Sequence, residues 1–353
     1  MPRYIKILLY FFIILFVVLS FSIFYLSQIG LETKKFNILI SEQVKKYNED
    51  LNLEIEKVKI YITLDDLTNP KLKISTKEPT LILDNNKIGL KSISGKIDIL
   101  SYFKDDFVIE EFEVLTKKNK IKDLIAIASL ENPSLIIYNV FIKEGYANIN
   151  ASLKFDDNGK IANYSLNGQI KNAKLKYNEK HYFEKINFKF NYEKKDILVK
   201  NASFIYKKIK LISDEILVSD GSKGKKIVNG NIGTETNKIN LKLFKDFYKN
   251  EFNFINDQEI IFKIENKFSF VLEKEKIKDL KYSSKIDLNN LIINPEINTL
   301  NKYFNNYNNS ILLKDNLITL IYENGNLSID GKAKYSFNKS IDKIEYKINK
   351  KKR

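Results

Sequence analysis

Three pairs of adjacent carboxylates, Asp65-Asp66, Asp105-Asp106 and Asp156-Asp157, are the right residue type for general acid–base catalysis. Their spacing is wrong for it, because neighbouring side chains of a strand point to opposite faces. Each pair falls where a turn is expected, and Asp favours turns. His181 is the single histidine. It cannot supply a multi-histidine metal site, a catalytic triad would lack partners, and "NEKHYFEK" reads as a turn with a solvated histidine. With no cysteine, there is no disulfide, iron–sulfur cluster or zinc–thiolate site, and the redox compartment stays open. "SDGSKGKK" (219–226) is glycine-containing and basic, but lacks the strand-to-helix context of a phosphate loop and reads as a hairpin. Triplets such as "NAS" (201–203) follow from the abundance of asparagine. The expectation is a protein without catalytic residues, metal or cofactor, and not an enzyme.

The chemistry that remains is that of a surface. In "KINFKFNY" (185–192), Ile186, Phe188, Phe190 and Tyr192 alternate with lysine and asparagine. As a strand, the segment carries one isoleucine and three aromatics on one face and only polar groups on the other.

Composition sets the frame. Of 353 residues 44% are hydrophobic, so the chain is not disordered by composition and is long enough for one large or two ordinary domains. Lys+Arg outnumber Asp+Glu by 59 to 44. Lysine, asparagine and isoleucine are abundant throughout, as a genome biased towards A and T would produce; attraction to an anionic surface is the sharper reading. Nucleic acid is not expected as a partner, because Arg3 and Arg353 are the only arginines and base readers favour arginine.

From Ile7 to Leu26 the chain runs 20 residues without a charge, roughly 30 Å as a helix and enough to cross a bilayer core. A cleaved signal peptide would have a shorter apolar region and a small-x-small site, and "SQIGLETKKF" offers no convincing one. Residues 1–30 therefore read as a retained membrane anchor. Arg3, Lys6 and the terminal amine favour a cytoplasmic N-terminus, against the weaker vote of Lys34 and Lys35. Residues 31–50 read as an amphipathic helix, with Phe36, Leu39, Ile40, Val44 and Tyr47 at helical spacings. It either lies on lipid or plugs one end of the domain behind it.

The rest, 51–353, reads as strands, with helical insertions near 120–130, 244–252 and 296–307. "LEIEKVKIYITL" (53–64) opens the series; "KLKIS" (71–75), "KSISGKIDIL" (91–100) and "FVIEEFEV" (107–114) continue it. Hairpin turns are expected at Asn158-Gly159 and Asn324-Gly325, where a type I′ turn needs positive φ. Glycines recur inside strands at 95, 168, 230 and 331, spacings too uneven for a fixed-period repeat, and read as bulges or bends. The fold class expected is mainly β: an N-terminal transmembrane helix, then a long, curved, mostly antiparallel sheet. An apolar sheet face must be covered. A second sheet, closure into a barrel, or lipid chains in an open trough would each serve, and periodicity does not separate them.

The order of parts resembles the AsmA-like family of Gram-negative envelope proteins, especially its YhdP-type branch and more distantly TamB. The matching features are the span 7–26, the helix 31–50 and the strand series 164–232, including "YSLNGQIKNAKLKY" and "GKKIVNGNIG", whose elements end in glycine-containing strands. The resemblance implies an open β-groove and a function in carrying phospholipid from the inner membrane towards the outer membrane, with no enzymatic residues. Family members are usually far longer: some 25 strands stack to about 120 Å at most. The alternating Ile344, Tyr346 and Ile348 leave an open sheet edge, so the chain reads as a short member, a fragment, or half of a split protein whose partner continues the sheet.

Two functions follow. In the first, an inner-membrane anchored, periplasmic protein lays acyl chains along a floor of Ile170, Leu175, Ile186, Phe188, Phe190, Phe204, Leu211, Val218 and Ile232. Each buried CH₂ contributes about 0.8 kcal/mol, enough to hold a chain yet let it slide. In the second, the apolar face is a dry core and the protein is an envelope assembly adaptor that works through its sheet edges. The anchor is checked directly: N-terminal sequencing of membrane-extracted protein should start before residue 27, and a start beyond it would show that the span is cleaved.

Overall fold

A computed structural model describes residues 3–63, 71–84, 86–98, 109–156, 158–179, 181–244, 258–274, 276–294, 310–337 and 340–350. It is mainly β, with open antiparallel sheet and four short or terminal helices. Helix α1 (Arg3–Gln28) is long and apolar enough between Tyr10 and Gln28 to cross a membrane; that stretch is not buried among the described residues, and the helix touches β3. The chain divides into two compact units, residues 1–169 and 170–353.

In the first unit, β1 (Leu31–Thr33) pairs with β3 (Lys57–Thr63), which pairs with β4 (Lys71–Lys77). The sheet continues through β6 (Asn86–Asp98), β7 (Ile109–Thr116) and β9 (Ile142–Phe155). Strands β2 (Leu51–Glu54) and β5 (Thr80–Leu83) form a side layer on the start of β6, and β8 (Asn119–Lys120) pairs with β9. Two expectations are corrected. The helix expected over 31–50 is confined to α2, Asn37–Tyr47, because Leu31–Thr33 is taken into the sheet. The single strand expected over 53–64 is broken between Glu54 and Lys57, so that its two halves serve different sheet layers. Helix α2 sets Ile40 and Val44 on Leu53, Ile88 and Leu90, which is the plugging arrangement. Helix α3 (Ile121–Glu131) matches the insertion expected near 120–130; a 3₁₀ turn at Pro133–Ile137 and α4 (Tyr138–Phe141) follow it. The insertion expected at 296–307 lies outside the described residues; that at 244–252 does too, except for a 3₁₀ turn ending at Phe244.

The second unit is a meander. Strand β10 (Ile161–Asn178) enters it; β11 (His181–Glu193), β12 (Asp196–Tyr206), β13 (Ile209–Asp220) and β14 (Lys226–Thr234) follow, each antiparallel to the last. Then come β16 (Glu259–Glu273), β17 (Lys276–Asn289), β19 (Ile311–Glu323), β20 (Asn326–Phe337) and β21 (Ser340–Lys350). Short strands β15 (Asn237–Asn240) and β18 (Leu291–Ile293) flank β16 and β19. There, at one end of the strands, Ile209, Ile239, Ile260, Phe262 and Leu291 make the unit's compact apolar cluster.

Turns follow the expected chemistry in part. Asn324 and Gly325 both have positive φ, 51° and 80°, as a type I′ turn requires. The turn at Gly159 (φ 72°) is closed by Asp156, whose Oδ1 accepts from the N–H groups of Asn158 and Lys160 at 2.9 Å. The hairpins after β11 and β12 place Lys194-Lys195 and Lys207-Lys208 at positive φ with no glycine to announce them.

Several strands gain one residue and keep their faces. Lys185 (φ 49°) lies where β11 slips against β12, and Asp315 (φ 49°) where β19 slips against β20. Such a bulge leaves ladder groups unpaired, and side chains take them up. Asn187 Oδ1 accepts from the Asn172 N–H (3.0 Å), and Asn231 Oδ1 from the Asp214 N–H (2.9 Å). Buried Thr116 and Thr234 accept from Ile149 and Ile264 N–H at 2.7 and 3.1 Å. Replacing Thr234 by Val should leave the Ile264 N–H unsatisfied and cost about 1–3 kcal/mol, while Thr234→Ser keeps most of the stability; chemical denaturation of both variants measures the difference.

Candidate functional site: an uncovered apolar sheet face

Residues directly opposite in an antiparallel pair share a face, so the register traces each row across the second unit. One row runs Phe190, Val199, Ile216, Gly230, Phe268, Tyr282, Tyr322 and Leu327. A second runs Tyr192, Ile197, Val218, Val228 and Phe270. A third joins Ile264, Ile286 and Ile318. One face of the sheet is thus apolar over many strands.

The nine residues named from the sequence all lie in this unit, and all nine are half-buried. Phe188 and Phe190 stand side by side, ring centroids 6.3 Å apart. Phe204 is paired with Leu211 across β12 and β13, and Phe183, which the sequence reading did not include, meets Phe204 edge-on at 5.8 Å. Val218 lies two residues along from Ile216 on the same face, and Ile232 two from Gly230. Leu175 is on the face opposite Lys174, whose ammonium reaches Glu184 at 2.9 Å; Ile170 lies on the same strand, before the bulge at Asn172 (φ 50°). The residues missed, among them Val199, Ile216, Phe268 and Phe270, carry the same period-two signal as those named.

A dry sandwich core would bury such side chains almost completely. Among the described residues of this unit only Ala173, Ile209, Ile239, Ile260, Phe262, Leu291 and Ala333 are buried hydrophobics, and most belong to the end cluster. Among the described residues the apolar rows are shielded by one another rather than by a second layer, and the sheet is open.

The opposite face is charged. Lys281 meets Glu323 at 2.7 Å and Lys347 meets Asp330 at 3.2 Å across strands; Lys263 meets Glu265 at 2.6 Å along one. The Lys263 hydrogen bond holds the Glu265 carboxyl below its ordinary pKa and raises that of the lysine. Exposed pairs of this kind add little stability; they make one face of the sheet soluble. A mixed-charge depression of about 770 Å³ lies over Lys285, Asp287, Lys332 and Glu345.

Gly230 borders the slip of β13 against β14, as expected of a glycine at a bulge, and Gly230 and Gly331 also have a packing role. A Cβ at Gly331 would overlap the Tyr346 ring, whose hydroxyl crosses the glycine to donate to buried Asn316 (3.2 Å). Burial pushes the Tyr346 phenol pKa up. At Gly230 a Cβ would come within 3.0 Å of both Ile216 and Phe268. Gly95 has nothing within 4 Å, and nothing in the structure explains it.

The residues first weighed for chemistry resolve as follows. His181 is corrected: it begins β11, half-buried, with Nδ1 2.5 Å from the Tyr206 hydroxyl and its ring stacked on that tyrosine. Asp156 is a turn residue, residues 219–226 form a hairpin, and Asn201 is a positive-φ position within β12. Asp65-Asp66, Asp105-Asp106 and Asp157 lie outside the described residues.

No protein-family model, curated protein or solved structure matches this chain. The fit of the face can be probed from inside: Gly230→Val should push the Phe268 ring out of its row and destabilise the protein by about 1–3 kcal/mol, read as a lowered melting temperature.

Proposed function

We propose that the protein is a membrane-anchored lipid-binding protein whose uncovered apolar sheet face carries acyl chains, an AsmA-like member of a bacterial envelope. The observation that carries the reading is a many-stranded apolar face, half-buried and, among the described residues, under no second layer, on a chain with an apolar helix of membrane-crossing length. Contiguous apolar surface of this extent marks an interaction site in a soluble environment, and methylene chains match it without asking for any polar partner. Arg3 and Lys6 ahead of the apolar stretch of α1 support a cytoplasmic N-terminus in the inner membrane and a periplasmic sheet. Movement along the face is passive, since shallow contacts of about 0.8 kcal/mol per CH₂ are made and broken in turn. The protein has no catalytic step in this reading.

Changing both Phe188 and Phe190 to Asp tests it. On an uncovered face the carboxylates stay hydrated, so the double variant should melt near the parent temperature and lose co-purifying phospholipid. In a dry core, as the assembly-adaptor reading requires, two unpaired charges would cost several kcal/mol each and unfold it. A folded variant with undiminished lipid would remove these strands from the path.

A further inference from the structure

The first unit holds an apolar cavity of about 710 Å³, open to solvent, that involves none of the nine residues above. Leu53 and Leu90, nearly fully buried, form its floor; Ile40 and Val44 of α2 and Leu124 and Ile127 of α3 form its walls. Among the described residues no charged side chain lines it, and Gln43 and Thr116 are its only polar residues. The Thr116 hydroxyl already accepts from the Ile149 N–H at 2.7 Å. Helix α2 packs on β2, while α3 packs on β6, β8 and β9. Although α3 is largely apolar, none of its residues is fully buried, as it would be had the two helices closed on each other.

The volume falls within the range of small-molecule sites, which are lined mainly by apolar side chains. The lining excludes most ligands. With no cation and only the exposed Gln43 amide as a side-chain donor at its edge, it offers little to a phosphate, a sugar or a peptide backbone, whereas a run of methylenes needs nothing else. The same unit supplies the source of such a chain, because α1 brings it to a bilayer and is tied to β3 where Gly30 (φ 74°) meets the Tyr61 ring. We propose that this cavity between α2 and α3 is a discrete binding site for one acyl chain of a membrane lipid. The proposal rests on the lipid-handling reading and adds to the open face a site of defined capacity.

The test uses the full chain in vesicles of phosphatidylethanolamine and phosphatidylglycerol doped with a phosphatidylcholine that carries a diazirine on one acyl chain. After irradiation and digestion, labelled peptides are mapped by mass spectrometry. Label is expected on residues 37–47 and 121–131, and Ala128→Trp, which fills the cavity from the α3 side, should lower it at least fivefold there. Far-UV circular dichroism confirms the fold; if Ala128→Trp misfolds, Gln43→Trp fills the cavity from α2. Absence of label on both helices in the parent protein overturns the proposal, as does label unchanged in a folded, filled variant. Label on α2 and α3 without label on residues 181–220 would sustain the cavity and sink the open-face reading. The reverse pattern would sink the cavity alone.

Discussion

Parity is the constraint on which the second unit depends. Side chains alternate along a strand, so one inserted residue sends everything after it to the other face. In β11 and β12 the apolar positions do not keep strict alternation: Phe183 and Ile186 are three apart, as are Val199 and Ala202. The structure reconciles them by placing Lys185 and Asn201 at positive φ, which absorbs the extra residue and returns the next side chain to the apolar face. An uncorrected slip would set aromatic rings among the lysines and lysines among the rings. The chain accepts strained backbone at these positions, of order 1–2 kcal/mol for a residue other than glycine, because the alternative inverts half a strand.

The bulges explain residues that composition alone leaves as background. Asparagine is abundant enough to look like a by-product of base composition, yet Asn187, Asn231 and Asn289 each turn a side-chain oxygen to an N–H at or beside a bulge on the next strand. An amide side chain reaches across the gap where the backbone carbonyl has moved away, and keeps the backbone donor paired. Thr76, Thr116 and Thr234 do the same with a hydroxyl. Sheet curvature and hydrogen-bond satisfaction are thus solved by the same residues.

This marks what was legible. The strand series, the helix after Lys120, the Asn324-Gly325 turn and the apolar side of β11 all follow from period and turn chemistry, which act within a few residues. The splitting of 53–64, the capture of Leu31–Thr33 by β3 and the lysine-pair turns do not, because each is decided by a partner distant in sequence. The candidate face was legible as a pattern. That it lies uncovered was not, since an alternating strand looks the same beneath a second sheet. The cavity of the first unit was hidden for a related reason: an apolar stripe on α2 and a short helix at α3 were legible, but only their separation in space leaves room between them.

A sheet of one layer also has a particular economy of contacts. In the second unit each strand packs chiefly against its two neighbours, so stability is close to a sum of local terms, as in repeat proteins. A fault in one hairpin then weakens that hairpin without dissolving a shared core, because little shared core exists outside the end cluster of Ile209, Ile260 and Phe262. The apolar face inherits the same property. Its longest row runs across eight strands, and a bound chain touching many of them loses about 0.8 kcal/mol for each methylene that goes uncovered. One altered side chain therefore leaves a path around it, whereas two adjacent aromatics on the same strand, such as Phe188 and Phe190, interrupt successive rows together. A surface built this way tolerates drift at single positions, and its working unit is the row.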